Sequence, residues 1–150
     1  MGDRLANLRN AIAALRELGE LVALSSIYET EPVDVEQAQP WFLNCAVAIE
    51  TELSAREVLE KILSMELAMG RVRLQKRGPR PVDIDIIFIG DEVIDIPGLT
   101  VPHPAMQSRR FVLAPLAEIA PAVMHPVLKR SVRELLNTLP KTTGEVRKFG

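Results

Sequence analysis

Two carboxylates one residue apart, Asp83 and Asp85, are the sharpest chemical feature of this sequence. Alternate residues of a β-strand share a face and lie about 7 Å apart. Two carboxylates so placed can hold one or two magnesium ions that bridge the phosphate oxygens of a nucleotide. An isolated pair of this kind more often marks a solvated strand edge. The preceding residues shift that balance. Arg71, Arg73, Lys76, Arg77 and Arg80 fall within ten residues that contain no acid. A basic loop that runs straight into the acidic strand brings cations and carboxylates to one end of a sheet. Chemistry on a metal-bound triphosphate calls for that pairing, with acids for the metal and guanidinium groups for charge on the transferring phosphorus. Gly78-Pro79 stiffens the approach and aims Arg80.

Other residues offer weaker signals. His103 stands between Pro102 and Pro104, with Arg109 six residues on, which suits a phosphate contact on a rigid loop. Phe42 and Asn44 share a strand face and could stack on a flat heterocycle while hydrogen-bonding its edge. No glycine-rich phosphate loop of the Gly-x-x-x-x-Gly-Lys or Gly-x-Gly-x-x-Gly kind occurs, so side chains and metal must hold any phosphates. No Cys/His set has zinc-ligand spacing, and no serine sits in a nucleophile elbow.

The elements that must position these residues follow from periodicity. Asp3 can cap a helix from Arg4, with Leu5, Leu8, Ile12 and Leu15 at helical spacing and Gly19 as its stop. Residues 21–30 read as a strand with Val22, Leu24, Ser26 and Tyr28 on one face. Residues 31–40 read as loop. Residues 42–51 give the clearest strand, with Leu43, Cys45, Val47 and Ile49 facing one way and Phe42, Asn44, Ala46 and Ala48 the other. Ser54 and Glu57 form a capping box for a helix to about Met69, with Val58, Leu59, Ile62 and Met65 inward and Gly70 at its end. The acidic pair opens a strand over 82–89. A turn at Gly90-Asp91, a short strand over 92–96 and a loop over 100–110 come next. A helix over 111–119 is expected to be interrupted at Pro115. Ser131 and Glu134 form a second capping box, leading a last helix to about Leu139. Strands and helices mix without regular βαβ alternation, which predicts an α+β fold.

The chain has 150 residues, 47% of them hydrophobic, which suits one domain with a real core. A net charge of −2 argues against a bulk binder of nucleic acid. One cysteine, Cys45, cannot form an internal disulfide. No apolar run is long enough to span a bilayer, and the N-terminus does not read as a signal peptide. A cytoplasmic protein without membrane or nucleic-acid partners is the expectation.

The motifs together resemble the hydroxymethyldihydropterin pyrophosphokinase family. The segments SSIYETEP (25–32) and FLNCAV (42–47) are similar to its pterin-binding half. ELAMGRVR (66–73) and GPRPVDIDI (78–86) resemble its catalytic core, and LTVPHP (99–104) with RRFVLAPLAEIAP (109–121) extends the match in family order. The resemblance implies a ferredoxin-like α+β sandwich with a mostly antiparallel sheet, usually monomeric. It implies transfer of a diphosphate from ATP, as co-substrate, to 6-hydroxymethyl-7,8-dihydropterin, giving AMP and the pterin diphosphate ester in folate synthesis. Asp83 and Asp85 would bind two magnesium ions. Arg71 and Arg80 would be mobile arginines that assist transfer. Glu66, Ile86, Arg73, Thr100, His103 and Arg109 would bind ATP. Thr30, Val33, Phe42, Asn44 and Phe111 would line the pterin pocket.

Two departures stand out. Arg77 occupies the place where the family often has a tryptophan, and a guanidinium can still stack on a π face. The family also opens with a strand ending in Gly-Ser-Asn, whereas the match here begins at Gly2-Asp3. That first strand is therefore expected to be missing, with impaired stability or pterin binding, and open sheet edges could recruit a second copy. Three rivals remain: a ferredoxin-like RNA binder, disfavoured by 4% aromatic content, a catalytically silent relative, and a nucleotidyltransferase, from which release of AMP would separate the pyrophosphokinase.

Overall fold

A computed structural model describes residues 4–30, 42–71, 83–140 and 146–149, with Gly70 and Arg71 described in the backbone alone. Helix α1 spans Arg4–Leu15, and strands β1 (Glu20–Leu24) and β2 (Tyr28–Thr30) come next. Strands β3 (Phe42–Asn44) and β4 (Val47–Glu50) lead into helix α2 (Ala55–Arg71). Strands β5 (Ile94–Ile96) and β6 (Leu99–Val101) precede a short 3-10 turn at Met106–Ser108. Helices α3 (Arg110–Ile119) and α4 (Val132–Asn137) and strand β7 (Val146–Lys148) complete the order. Every described strand pair is antiparallel: β1 with β4, β2 with both β3 and β7, and β5 with β6. Mixed helices and antiparallel sheet make the fold α+β.

Strands β1–β4 and β2–β3 are two halves of one ribbon with a break between them. From Leu24 to Tyr28 the chain takes four steps, while its partner takes three, from Val47 to Asn44. A further irregularity lies between Leu21 and Ala23. One extra residue inverts which side chains face inward. This corrects the expectation of a single strand with Val22, Leu24, Ser26 and Tyr28 on one face, because Val22 and Leu24 are exposed whereas Tyr28 is buried. Ser25 bridges the break. Its N–H donates to the Ala46 carbonyl at 2.9 Å, and its Oγ accepts the Ala46 N–H at 2.8 Å. A side chain thus supplies the acceptor that a regular ladder would take from backbone.

Two apolar clusters hold the elements. The first contains Met106, Leu113, Leu116, Val132 and Leu135, with Ala46, Ile87 and Phe88 packed against it. The second contains Leu15, Leu18 and Ile62, with Val47, Ile49, Val58, Met65, Ile84 and Ile86 against it. Ala46, in the gap that splits the strand expected over 42–51 into β3 and β4, and its neighbour Val47 therefore serve opposite cores.

Three further expectations change. Residues 83–88 carry no strand assignment, because a ladder needs repeated backbone partners and the Ile87 carbonyl takes its N–H from His103, in a loop, at 3.0 Å. Thr100 and Val101, read as the start of a loop, form β6 together with Leu99, paired to β5 around Pro97-Gly98. Gly98 has φ +85°, a conformation that glycine adopts without strain. Helix α3 is continuous across Pro115. The ring removes one N–H donor, and burial of Leu113, Pro115 and Leu116 against the first core outweighs that loss.

Both capping boxes form. Ser54 and Glu57 exchange backbone-to-side-chain bonds of 2.9 and 3.2 Å, and Ser131 and Glu134 do so at 2.8 and 3.1 Å. Helix α2 runs on through Gly70 to Arg71 instead of stopping before it. Gly19 has a tighter role than a helix stop, since a Cβ there would fall on the Glu50 carbonyl oxygen.

These contacts set two expectations for stability. Gly19→Ala should cost about 1–3 kcal/mol, because a backbone atom cannot move aside as a side chain can, and the urea midpoint would show it. The cap bonds of Ser131 pull the Glu134 carboxyl below its ordinary 4.5. A depressed folded pKa means stability present above the unfolded value and lost as pH falls through the folded one. Glu134→Gln should therefore lower the melting temperature at pH 7 and leave it close to wild type in strong acid.

Candidate functional site

Asp83 and Asp85 are exposed, while Ile84 and Ile86 between and after them pack into the second core. Ile87 and Phe88 continue into the first core. This alternation, without a ladder, puts both carboxylates on the solvent side. The segment is pinned from α2: the Ile84 N–H donates to Glu66 Oε2 at 2.6 Å. Glu66, expected at ATP, thus has one carboxylate oxygen on the backbone between the two acids. Among the described residues no group of three or more acidic, His or Cys side chains could hold a metal alone. Two exposed carboxylates suit a cation that takes waters and phosphate oxygens as its other ligands.

His103 joins the same region through its backbone bond to Ile87. Its Nδ1 accepts the Ala105 N–H at 3.3 Å, which leaves Nε2 as the ring nitrogen that can donate. Thr100 and His103 share a surface cavity of about 330 Å³ with Asp95, Gln107, Val127 and Leu128. Asp83, Asp85, Ile86 and Arg109 do not line it.

The four described residues expected at the pterin fall into two groups. Thr30 pairs with Phe42 and Tyr28 with Asn44 across β2 and β3. Paired residues share a face, and the Asn44 Nδ2 donates diagonally to Thr30 Oγ1 at 2.6 Å. Thr30 is buried, while Phe42 is 53% exposed and offers a ring to solvent. Phe111 lies in the first turn of α3, which packs against both strands. The Arg109 guanidinium lies 5.7 Å from the Phe111 ring centroid, within cation–π range. An expected ATP contact therefore touches an expected pterin contact. Val33, Arg73, Arg77 and Arg80 lie outside the described residues, as does the Arg71 side chain.

Sequence reasoning gave no role to Glu118, His125 or β7. Glu118 accepts from the Ser26 N–H and Oγ, each at 3.0 Å, and from Tyr28 Oη at 2.6 Å. These partners lie about ninety residues away, which local periodicity cannot reveal. His125 Nδ1 accepts the N–H groups of Val127 and Leu128 at 3.2 and 3.0 Å, and its ring meets Phe88 edge-on at 6.0 Å. Burial pushes its pKa down, so it stays the neutral acceptor that this loop needs. Burial likewise pushes the Cys45 thiol up to about 11, which leaves it protonated and unreactive at neutral pH.

The sequence profile of the 7,8-dihydro-6-hydroxymethylpterin-pyrophosphokinase family matches residues 1–121. A 2-amino-4-hydroxy-6-hydroxymethyldihydropteridine pyrophosphokinase of Synechocystis is 40% identical over 95% of this chain and 73% of its own length. The protein of that name from Bacillus subtilis is 46% identical over 82% of this chain and 74% of its own. The folic acid synthesis protein fol1 of Schizosaccharomyces pombe is 37% identical over 93% of this chain, which spans only 19% of that longer protein. No described helix is long and apolar enough to cross a membrane. With the profile covering most of its length, the chain belongs to the 7,8-dihydro-6-hydroxymethylpterin-pyrophosphokinase family.

Proposed function

We propose that the chain transfers the β,γ-diphosphate of ATP to the hydroxymethyl oxygen of 6-hydroxymethyl-7,8-dihydropterin, releasing AMP, in folate synthesis. The observation that carries this reading, in a chain of this family, is the outward pair Asp83 and Asp85 on a segment tied to Glu66. The pterin hydroxyl oxygen attacks the β-phosphorus, the bond from the α-phosphate oxygen to that phosphorus breaks, AMP leaves with its electrons, and the hydroxyl proton passes to water. Asp83 and Asp85 hold two magnesium ions, which when bound neutralise phosphate charge. Glu66, Arg73, Ile86, Thr100, His103 and Arg109 bind ATP, with His103 donating from Nε2. Thr30, Val33, Phe42, Asn44 and Phe111 hold the pterin. The stack of Arg109 on Phe111 brings the two sets of contacts together.

Arg71 and Arg80 act on the transferring group. A guanidinium directed at charge that develops in the transition state accelerates transfer more than it tightens ground-state binding. The finer fold reading is a ferredoxin-like sandwich, supported by antiparallel pairing throughout the described strands. A cytoplasmic monomer is the setting implied.

Incubation of purified protein with ATP, magnesium and the hydroxymethyl pterin should give AMP and the pterin diphosphate ester in equal amounts. Formation of ADP, or of a nucleotidyl product with free diphosphate, would contradict the proposal. Asp83→Ala and Asp85→Ala should each lower turnover by at least about a hundredfold, with thermal unfolding near wild type because both side chains are exposed. Turnover near wild type in either variant would remove the metal assignment. Arg80→Ala should reduce kcat by roughly 100–1,000-fold while ATP affinity falls less than about tenfold. An intact kcat with weakened ATP binding would make Arg80 a ground-state anchor instead.

A further inference from the structure

The break in the ribbon lies beside the strands that carry the proposed pterin contacts. Between Leu24 and Tyr28 the backbone leaves the ladder, and the Ser26 N–H takes its acceptor from a side chain of α3. Glu118 Oε2 accepts both the Ser26 N–H and the Ser26 Oγ, at 3.0 Å each, while Oε1 accepts the Tyr28 hydroxyl at 2.6 Å. One carboxylate thus spans the break, with one oxygen on each side of Ile27. On the other flank Ser25 Oγ donates to the Ser26 carbonyl at 2.7 Å and accepts the Ala46 N–H. Side chains therefore close the break from both directions.

Strands β2 and β3, just beyond the break, carry the pterin face. Tyr28 and Thr30 are two residues apart, so they share a side of β2, and both are buried. Their cross-strand partners Asn44 and Phe42 lie on that same side. The orientation of Tyr28 thus sets that of Thr30, Asn44 and Phe42. On α3, Phe111 and Glu118 are seven residues apart, nearly two full turns, and fall on one stripe about 10 Å apart along the axis. The stripe that holds Tyr28 at one end presents Phe111 at the other.

We infer that Glu118 is a positioning residue for the pterin side of the site, fixing through Ser26 and Tyr28 the distance between the β2–β3 face and Phe111. The inference rests on the reading of Thr30, Phe42, Asn44 and Phe111 as pterin contacts. Both partners hold the needed protonation state near neutral pH. Burial, and then Glu118 itself, pushes the Tyr28 hydroxyl up to about 12. The Tyr28 hydrogen bond leads the causes that hold the Glu118 carboxyl below its ordinary value, with the charge of Lys148 adding to it. Lys148 lies opposite Tyr28 in the β2–β7 register. Glu118 is itself exposed, so its removal leaves no buried cavity, and its effect should fall on geometry more than on the core.

Steady-state kinetics on the full chain separate this role from a general structural one. Glu118→Ala should raise KM for the hydroxymethyl pterin about tenfold or more, a loss of the order expected when charge-assisted hydrogen bonds are removed. KM for ATP should stay within about twofold and kcat at saturating pterin within about threefold of wild type. Tyr28→Phe should give part of the pterin effect, and Glu118→Gln, which keeps an acceptor oxygen, should fall between Ala and wild type. The Tyr28→Phe/Glu118→Ala double variant should be no worse than Glu118→Ala alone, because the Tyr28 bond is among those that Glu118→Ala already removes. A parallel rise of both KM values, or unchanged kinetics with only a lower melting temperature, would overturn the inference. Wild-type protein that neither binds nor turns over the pterin would remove the substrate reading, and with it the pterin role of Glu118. Amide exchange at residues 26–30 then shows which part failed. Faster exchange in Glu118→Ala means that the brace exists and only the pterin reading is wrong, while unchanged exchange means that the brace itself is absent.

Discussion

The hydrogen bond from the Ile84 N–H to the Glu66 carboxylate, 2.6 Å long, ties α2 to the segment that carries the two acids. Its effect depends on burial to either side of it. Ile84 and Ile86 are held in one core, and Ile87 and Phe88 in the other. Four apolar side chains divided between two clusters leave the segment little freedom to rotate, since a turn about its axis would move them towards water at about 25 cal/mol per Å². Asp83 and Asp85 are outward because their neighbours must be inward. Without a continuous ladder in this segment, packing and one charged acceptor do the aligning that backbone pairing does elsewhere.

The same economy of backbone pairing recurs at the ribbon break. Where β1 and β2 part, Ser25 and Glu118 supply the acceptors that a regular sheet would draw from carbonyls. A break held by side chains can be placed by α3, and α3 also carries Phe111 and follows Arg109. One helix is thereby in contact with both substrate regions of the proposed site. Its first core residues, Leu113 and Leu116, pack with Met106 and with α4, so the placement of that helix is set by the best-buried cluster in the fold.

Much of this was legible in the sequence wherever the signal is local. The capping boxes at Ser54 and Ser131, the helical stripe of Val58, Ile62 and Met65, and the Gly90 turn follow from spacing alone. The family was legible because its motifs keep their order along the chain. The ribbon break was not, because one inserted residue leaves the alternating pattern looking continuous while inverting its faces. Strand β6 was hidden by the prolines that follow it, and β7 by its three-residue length. Residues 83–88 read as a strand because apolar alternation measures burial, and burial here comes without ladder partners. Within the proposed site, the shared face of Phe42 and Asn44 was readable from strand parity and Thr30 only from the family motif, whereas the contacts of Glu118 and the stack of Arg109 on Phe111 depend on how the helix packs.

The central claim is that these acids and arginines serve the transfer of an intact diphosphate, with attack at the β-phosphorus. Tracing phosphorus tests it most directly. With ATP carrying isotope only at the β-phosphorus, the chain, magnesium and the hydroxymethyl pterin should give a labelled pterin product and unlabelled AMP. Label retained in a nucleoside diphosphate, with the pterin product unlabelled, would place the attack at the γ-phosphorus and contradict the account.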